Sequence, residues 1–168
     1  MKKRNDQTQT ALQFFGYRYP PFADTFEILE PYQSDSEALI AQRTVALLRQ
    51  GKSVALYGDA GTGKSMLAKN IITQLDQKEF RIAHIPYAGM KPSAILRDLC
   101  DELDIDIAGR KNLLSRLAND FQRTSGKPFP VIVVDEAHEM TRQSFIDLCS
   151  LLHDTRQRTA AAAIVLIG

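Results

Sequence analysis

The sequence predicts an α/β domain in three layers, α/β/α, with helices covering both faces of a mostly parallel central sheet. Short β-prone runs alternate with amphipathic helical segments along most of the chain. Two of those runs, Val131-Ile132-Val133-Val134 and Ala163-Ile164-Val165-Leu166-Ile167, lack polar alternation, as a strand buried on both faces requires. No long linker or internal repeat interrupts the pattern, so helices serve as the crossovers between strands. The 168 residues, 44% hydrophobic and 24% charged, have an ordinary globular balance that excludes disordered and collagen-like chains. A chain of this length buries roughly two thirds of the surface its unfolded form exposes, so a core forms without crosslinks.

The elements follow in order. Residues 1–33 form a polar tail and then an aromatic strap, Phe14, Phe15, Tyr17, Tyr19, Phe22 and Phe26 around Pro20-Pro21, whose prolines forbid regular helix. Ser34 with Glu37 three residues on reads as a capping box, opening a helix through Leu39, Ile40, Val45, Leu47 and Leu48 that Gly51 stops. Residues 53–57 form a strand, and Met66, Leu67, Ile71 and Leu75 give a helix over 64–77. A strand over 81–87 precedes a helix over 93–103 and another through Leu113, Leu114, Leu117 and Phe121. After the buried strand at 131–134, Phe145, Leu148, Cys149 and Leu152 mark a helix over 141–156, and the strand at 163–167 closes the order β-α-β-α-α-β-α-β. The expected organisation is a tail and strap over 1–33 and one α/β domain over 34–168.

Composition limits the function classes. Lys and Arg number 21 against 20 Asp and Glu, a net charge of +1 that gives no general pull toward nucleic acid. Cys100 and Cys149, without a CxxC or a His-rich neighbourhood, make neither a disulfide framework nor a zinc site and fit a reducing, cytoplasmic setting. Residues 5–10 are polar where a secretion signal needs an apolar core, and the run from Ala160 is too short to span a bilayer.

Two motifs carry chemistry. Gly58-Asp59-Ala60-Gly61-Thr62-Gly63-Lys64-Ser65, with Met66 behind it, fits G-x-x-x-x-G-K-[ST] and sits between a predicted strand and helix, the context that makes the match specific. Its glycines let backbone N–H groups converge on phosphate oxygens at the positive end of a helix. Lys64 reaches the β- and γ-phosphates, and the Ser65 hydroxyl suits Mg²⁺, a hard ion that prefers oxygen. The second motif, Asp135-Glu136-Ala137-His138, ends a buried strand where parallel sheets place their ligands. Asp135 would hold Mg²⁺, and Glu136 would orient and deprotonate the attacking water. The bland alternative makes either carboxylate a helix cap. His138 is structural or modulatory, while His84 and His153 lack partners at ligand spacing. Asp101, Glu102, Asp104 and Asp106 form a solvated acidic run. The strap aromatics either pack over an edge or, as Phe22 or Tyr32, flank a purine. ATP and Mg²⁺ are the expected ligands, and no Asn-Lys-x-Asp motif selects guanine.

The Gly58 loop, the Asp135-Glu136 pair and the element order together resemble the AAA+ branch of P-loop ATPases. Within it, Phe14-Phe15-Gly16 with Pro21-Phe22, the loop and the Asp135 tetrad look like the general secretion pathway protein A (ExeA) family, which shades into transposition regulators similar to TnsC and MuB. The resemblance implies a sheet ordered 5-1-4-3-2, with the strand ending at Gly168 between those of 54–57 and 131–134. It implies Lys64 and Ser65 as Walker A residues and Asp135 and Glu136 as the Walker B pair. It also implies a homo-oligomer partnered by DNA and a transposase, or by secretion machinery. Arg110, Lys111, Arg116, Arg123 and Lys127 would serve DNA, or form a solvated helix face. Relatives continue past this strand with a sensor residue, a fifth strand, an arginine finger and a helical lid. The lid being absent here, the chain is expected to be truncated at its C-terminus, with weak isolated activity. Two functions fit: an ATPase driving assembly or remodelling of a partner complex, and a nucleotide-dependent switch or adaptor with little or no hydrolysis.

Overall fold

The computed structural model describes residues 14–16, 34–86, 89–107, 112–122, 128–154 and 159–168. The chain divides into two units, Met1–Ser34 and Asp35–Gly168. Of the strap, only Phe14 to Gly16 lies within the described residues, where the Phe14 and Phe15 rings meet edge to face at 5.0 Å. Phe22, Tyr32 and the cations Arg110, Lys111, Arg123 and Lys127 lie outside them.

The larger unit contains α1 (Asp35–Arg49), β1 (Val54–Leu56), α2 (Lys64–Gln74), β2 (Phe80–Pro86), α3 (Pro92–Glu102), α4 (Leu113–Gln122), β3 (Phe129–Asp135), a 3₁₀ turn (Ala137–Glu139) and α5 (Arg142–Leu151). Two short strands, β4 (His153–Asp154) and β5 (Thr159–Ala160), then lead to β6 (Ala163–Ile167). Four parallel strands form one sheet in the order β1-β6-β3-β2. The strand before Gly168 is therefore central, as the implied 1-4-3-2 portion of the order requires.

The side-chain period of two divides each central strand between two cores. Val131 and Val133 of β3, with Ala163, Val165 and Ile167 of β6, pack with Ala41, Val45 and Leu48 of α1 and Ala68 and Ile71 of α2. Ile132, Val134 and Ile164 face the other way, toward Ile95 and Leu99 of α3, Leu117 and Phe121 of α4, and Leu148 and Leu151 of α5. The three-layer α/β/α class read from the sequence is the observed one.

Helix ends follow local chemistry. Gly51, at φ +69°, closes α1 in a Schellman arrangement, with the Lys52 N–H donating to Leu47 O at 3.0 Å and the Gly51 N–H to Leu48 O at 2.9 Å. Asp104, at φ +53°, closes α3 in the same way, the Ile105 N–H reaching Cys100 O at 2.8 Å. Thr141 caps α5, its Oγ1 accepting the Ser144 N–H at 3.1 Å. Thr141→Ala is expected to cost about 1 kcal/mol, measured as a lower denaturant midpoint at unchanged slope.

Two expectations need correction. The helix predicted over 141–156 ends at Leu151, because His153 and Asp154 pair antiparallel with Ala160 and Thr159 and the Ala161 N–H donates to Leu152 O at 2.9 Å. Its buried face is Ser144, Leu148 and Leu151, whereas Phe145 is 45% exposed. In α1 the buried residues are Ala41, Thr44, Val45 and Leu48, while Leu39 and Ile40 are exposed. The thiols sit in these layers, and burial raises the pKa of both Cys100 and Cys149 above the ordinary thiol value, with Asp101 reinforcing it at Cys100.

Candidate functional site

β1 ends at Leu56, and the chain turns through Gly58 to Gly63 before α2 begins. Gly61 and Gly63 sit at φ +79° and +83°, where a β-carbon is strained, so the tight loop needs glycine at these positions. Gly63 is the N-cap of α2 and supplies no side-chain cap, and the first turn carries no acid. Among the described residues, the backbone N–H groups of Ala60, Gly61, Gly63, Lys64, Ser65 and Met66 have no hydrogen-bond partner. The Thr62 and Leu67 N–H groups are instead tied to Asp59 O and Gly63 O, at 3.4 and 2.9 Å. An uncapped helix start with free donors and a positive dipole end suits an anion.

Lys64 Nζ is held at the loop, donating to Gly58 O at 2.8 Å and Asp59 O at 2.9 Å. Among the described residues the ammonium is paired with these two carbonyls and with no carboxylate. The loop from Gly58 to Gly63 is exposed, as is Ser65, while Lys64 and Met66 are half-buried.

β3 brings the second motif to the same end of the sheet. Asp135 is the last residue of the strand and is half-buried; its Oδ1 accepts the Glu136 N–H at 2.9 Å. Glu136 takes the left-handed conformation, φ 51° and ψ 39°, which turns the chain from strand into the 3₁₀ turn. For a residue with a β-carbon that conformation costs about 1 kcal/mol, an expense characteristic of functional positions. One strand, β6, separates β1 from β3, so the loop and the carboxylates stand about 10 Å apart.

The structure thus brings together every predicted site residue from Gly58 to Met66 with Asp135 and Glu136. Of the helix-cap alternative, Glu136 makes no side-chain cap bond, whereas Asp135 does satisfy an N–H, that of Glu136. A hydroxyl and a carboxylate, Ser65 and Asp135, form an oxygen donor set that fits a hard divalent cation such as Mg²⁺.

Sequence reasoning missed Gly168. Its N–H donates to Leu56 O at 3.0 Å and its carbonyl accepts the Gly58 N–H at 3.2 Å, so it fastens the start of the loop to the central strand. Pairing between residues this far apart leaves no local signal. A cavity of about 580 Å³, lined by Leu48, Gly51, Glu79, Phe80 and Phe129 among others, lies at the opposite end of the sheet and holds none of the motif residues.

Residues 47–168 match the family model described as AAA domain. The chain belongs to the AAA domain family. Its loop and paired carboxylates therefore sit on an AAA+ P-loop ATPase fold. The crystal structure of Cdc6p from Pyrobaculum aerophilum is similar to this AAA domain, with a TM-score of 0.65 at 17% identity, and the match covers 84% of this chain and 41% of that one. At that identity the likeness shows the fold alone, and the AAA domain spans well under half the length of that protein. No curated protein matches it. No helix among its described residues is long and apolar enough to cross a membrane.

Proposed function

We propose that this AAA domain binds Mg-ATP at Gly58 to Met66 and hydrolyses it to ADP and phosphate, driving assembly or remodelling of a partner complex. The observation that carries the reading is the row of unpartnered N–H groups at the uncapped start of α2, beside the Lys64 ammonium. In this reading the N–H groups and Lys64 hold the phosphates, and Ser65 and Asp135 hold the metal ion. Mg²⁺, when bound, supplies charge neutralisation at the phosphate oxygens. Glu136 takes the proton of the attacking water, in line with the γ-phosphate.

The domain is assigned to residues 34–168, behind a tail and strap over 1–33, in a cytoplasmic protein. Homo-oligomerisation, with an arginine supplied by a neighbouring copy, belongs to the same proposal; so do partners of the ExeA or TnsC and MuB kind, in secretion or transposition. Calorimetric titration with ATP and Mg²⁺ tests the binding half. Saturable heat is expected for the native chain, and Lys64→Ala is expected to weaken binding about 10- to 100-fold through loss of a charged hydrogen-bond donor. No heat with adenine or guanine triphosphates would overturn the reading. Binding without phosphate release, with DNA supplied, would favour the switch or adaptor.

A further inference from the structure

We infer that His138 is a positioning residue for Glu136, holding the carboxylate of the proposed base and tying it through Gly168 to the start of the phosphate loop. The inference rests on the reading of Glu136 as the base. His138 Nδ1 lies 3.4 Å from Glu136 Oε2, and Nε2 lies 3.4 Å from Glu139 Oε1. The ring thus stands between two carboxylates, and among the described residues it is the one side chain paired with that of Glu136. The left-handed backbone of Glu136 sets the direction in which its side chain leaves β3; the imidazole sets where the carboxylate comes to rest. A neutral imidazole carries one N–H and serves one carboxylate at a time, so the choice between Glu136 and Glu139 is a real alternative for the ring.

The base of the residue lies close to Gly168. A β-carbon there would lie 3.1 Å from the His138 N, 3.3 Å from its Cβ and 3.4 Å from Nδ1, so the bare Cα leaves the room that His138 occupies, while the imidazole itself is 56% exposed. Gly168 in turn is bonded to Leu56 O and to the Gly58 N–H, at 3.0 and 3.2 Å. A continuous series of contacts therefore runs from Gly58 through Gly168 and His138 to Glu136, joining the group that grips phosphate to the group proposed to activate water. A shift of the loop on binding nucleotide would reach the carboxylate along this route, and a displacement of about 1 Å at a reacting group is enough to change a rate substantially.

The test uses the full chain. The amide nitrogen of His138→Asn falls near the position of Nδ1 and keeps the contact to Glu136, whereas that of His138→Gln falls near Nε2 and reaches Glu139 instead. His138→Ala and His138→Gln are expected to lower kcat for ATP about tenfold, with KM and the unfolding temperature unchanged, and His138→Asn to restore most of the rate. Gly168→Ala, which crowds the backbone and Cβ of His138 and then Nδ1, is expected to reproduce the loss. Independently of turnover, ¹⁵N spectra of the imidazole should show the Nδ1 resonance moving in Glu136→Ala and the Nε2 resonance moving in Glu139→Ala. If Glu136→Gln abolishes hydrolysis while His138→Ala keeps kcat within about twofold, the positioning role is wrong and the base reading stands. If Glu136→Gln leaves hydrolysis intact, the base reading fails and takes the positioning role with it. An Nδ1 resonance indifferent to Glu136→Ala overturns the contact itself.

Discussion

Glu136→Gln is expected to slow phosphate release by about 10²- to 10⁴-fold while leaving ATP affinity unchanged, the range a general base contributes. The amide preserves the size of the side chain and one accepting oxygen, and removes the negative charge and with it the capacity to take a proton. The bonds that hold the phosphate loop do not use its side chain: Gly58 is fastened to Gly168 and Lys64 to the carbonyls of Gly58 and Asp59. The substitution therefore separates chemistry from binding. Single-turnover phosphate release, paired with a titration of ATP, reads both. Release at the native rate would remove Glu136 from the chemistry, and a parallel loss of affinity would make it a ligand-holding residue.

Phe121→Ala is expected to destabilise the domain by about 3–5 kcal/mol, the cost of emptying an aromatic site in a packed core. Phe121 is fully buried on α4 and shares its cluster with Leu99, Leu117, Ile132 and Leu148, so α3, α5 and the sheet all lose contacts at once. Against a total stability of about 5–15 kcal/mol for a typical domain, this is a large fraction. Denaturant unfolding measures it. A change below about 1 kcal/mol would mean that the surrounding helices collapse into the space. Phe121 belongs to the layer opposite α2, so ATP affinity measured well below the unfolding midpoint should stay unchanged.

The candidate site was legible because its chemistry is local. Eight consecutive residues build the loop, glycine permits the positive φ that Gly61 and Gly63 adopt, and the buried run before Asp135 announces a strand that delivers carboxylates at its end. The hydrophobic faces of helices were less legible. The spacing of Phe145, Leu148, Cys149 and Leu152 pointed to one side of α5, but the helix buries Ser144, Leu148 and Leu151 and leaves Phe145 exposed. A helix buries the stripe its partner can reach, and bulk apolarity does not specify which stripe that is.

The amino-acid sequence determined by itself the class of fold, the main alternation of strands and helices, and where the loop and carboxylate motifs lie within it, since each of these depends on neighbours within a few positions. The tertiary structure decided the rest. It ended α5 at Leu151 in favour of a small hairpin and set His138 against Gly168 beside Glu136. Those outcomes come from contacts between residues far apart in the chain, whose energies exist only once the sheet has assembled.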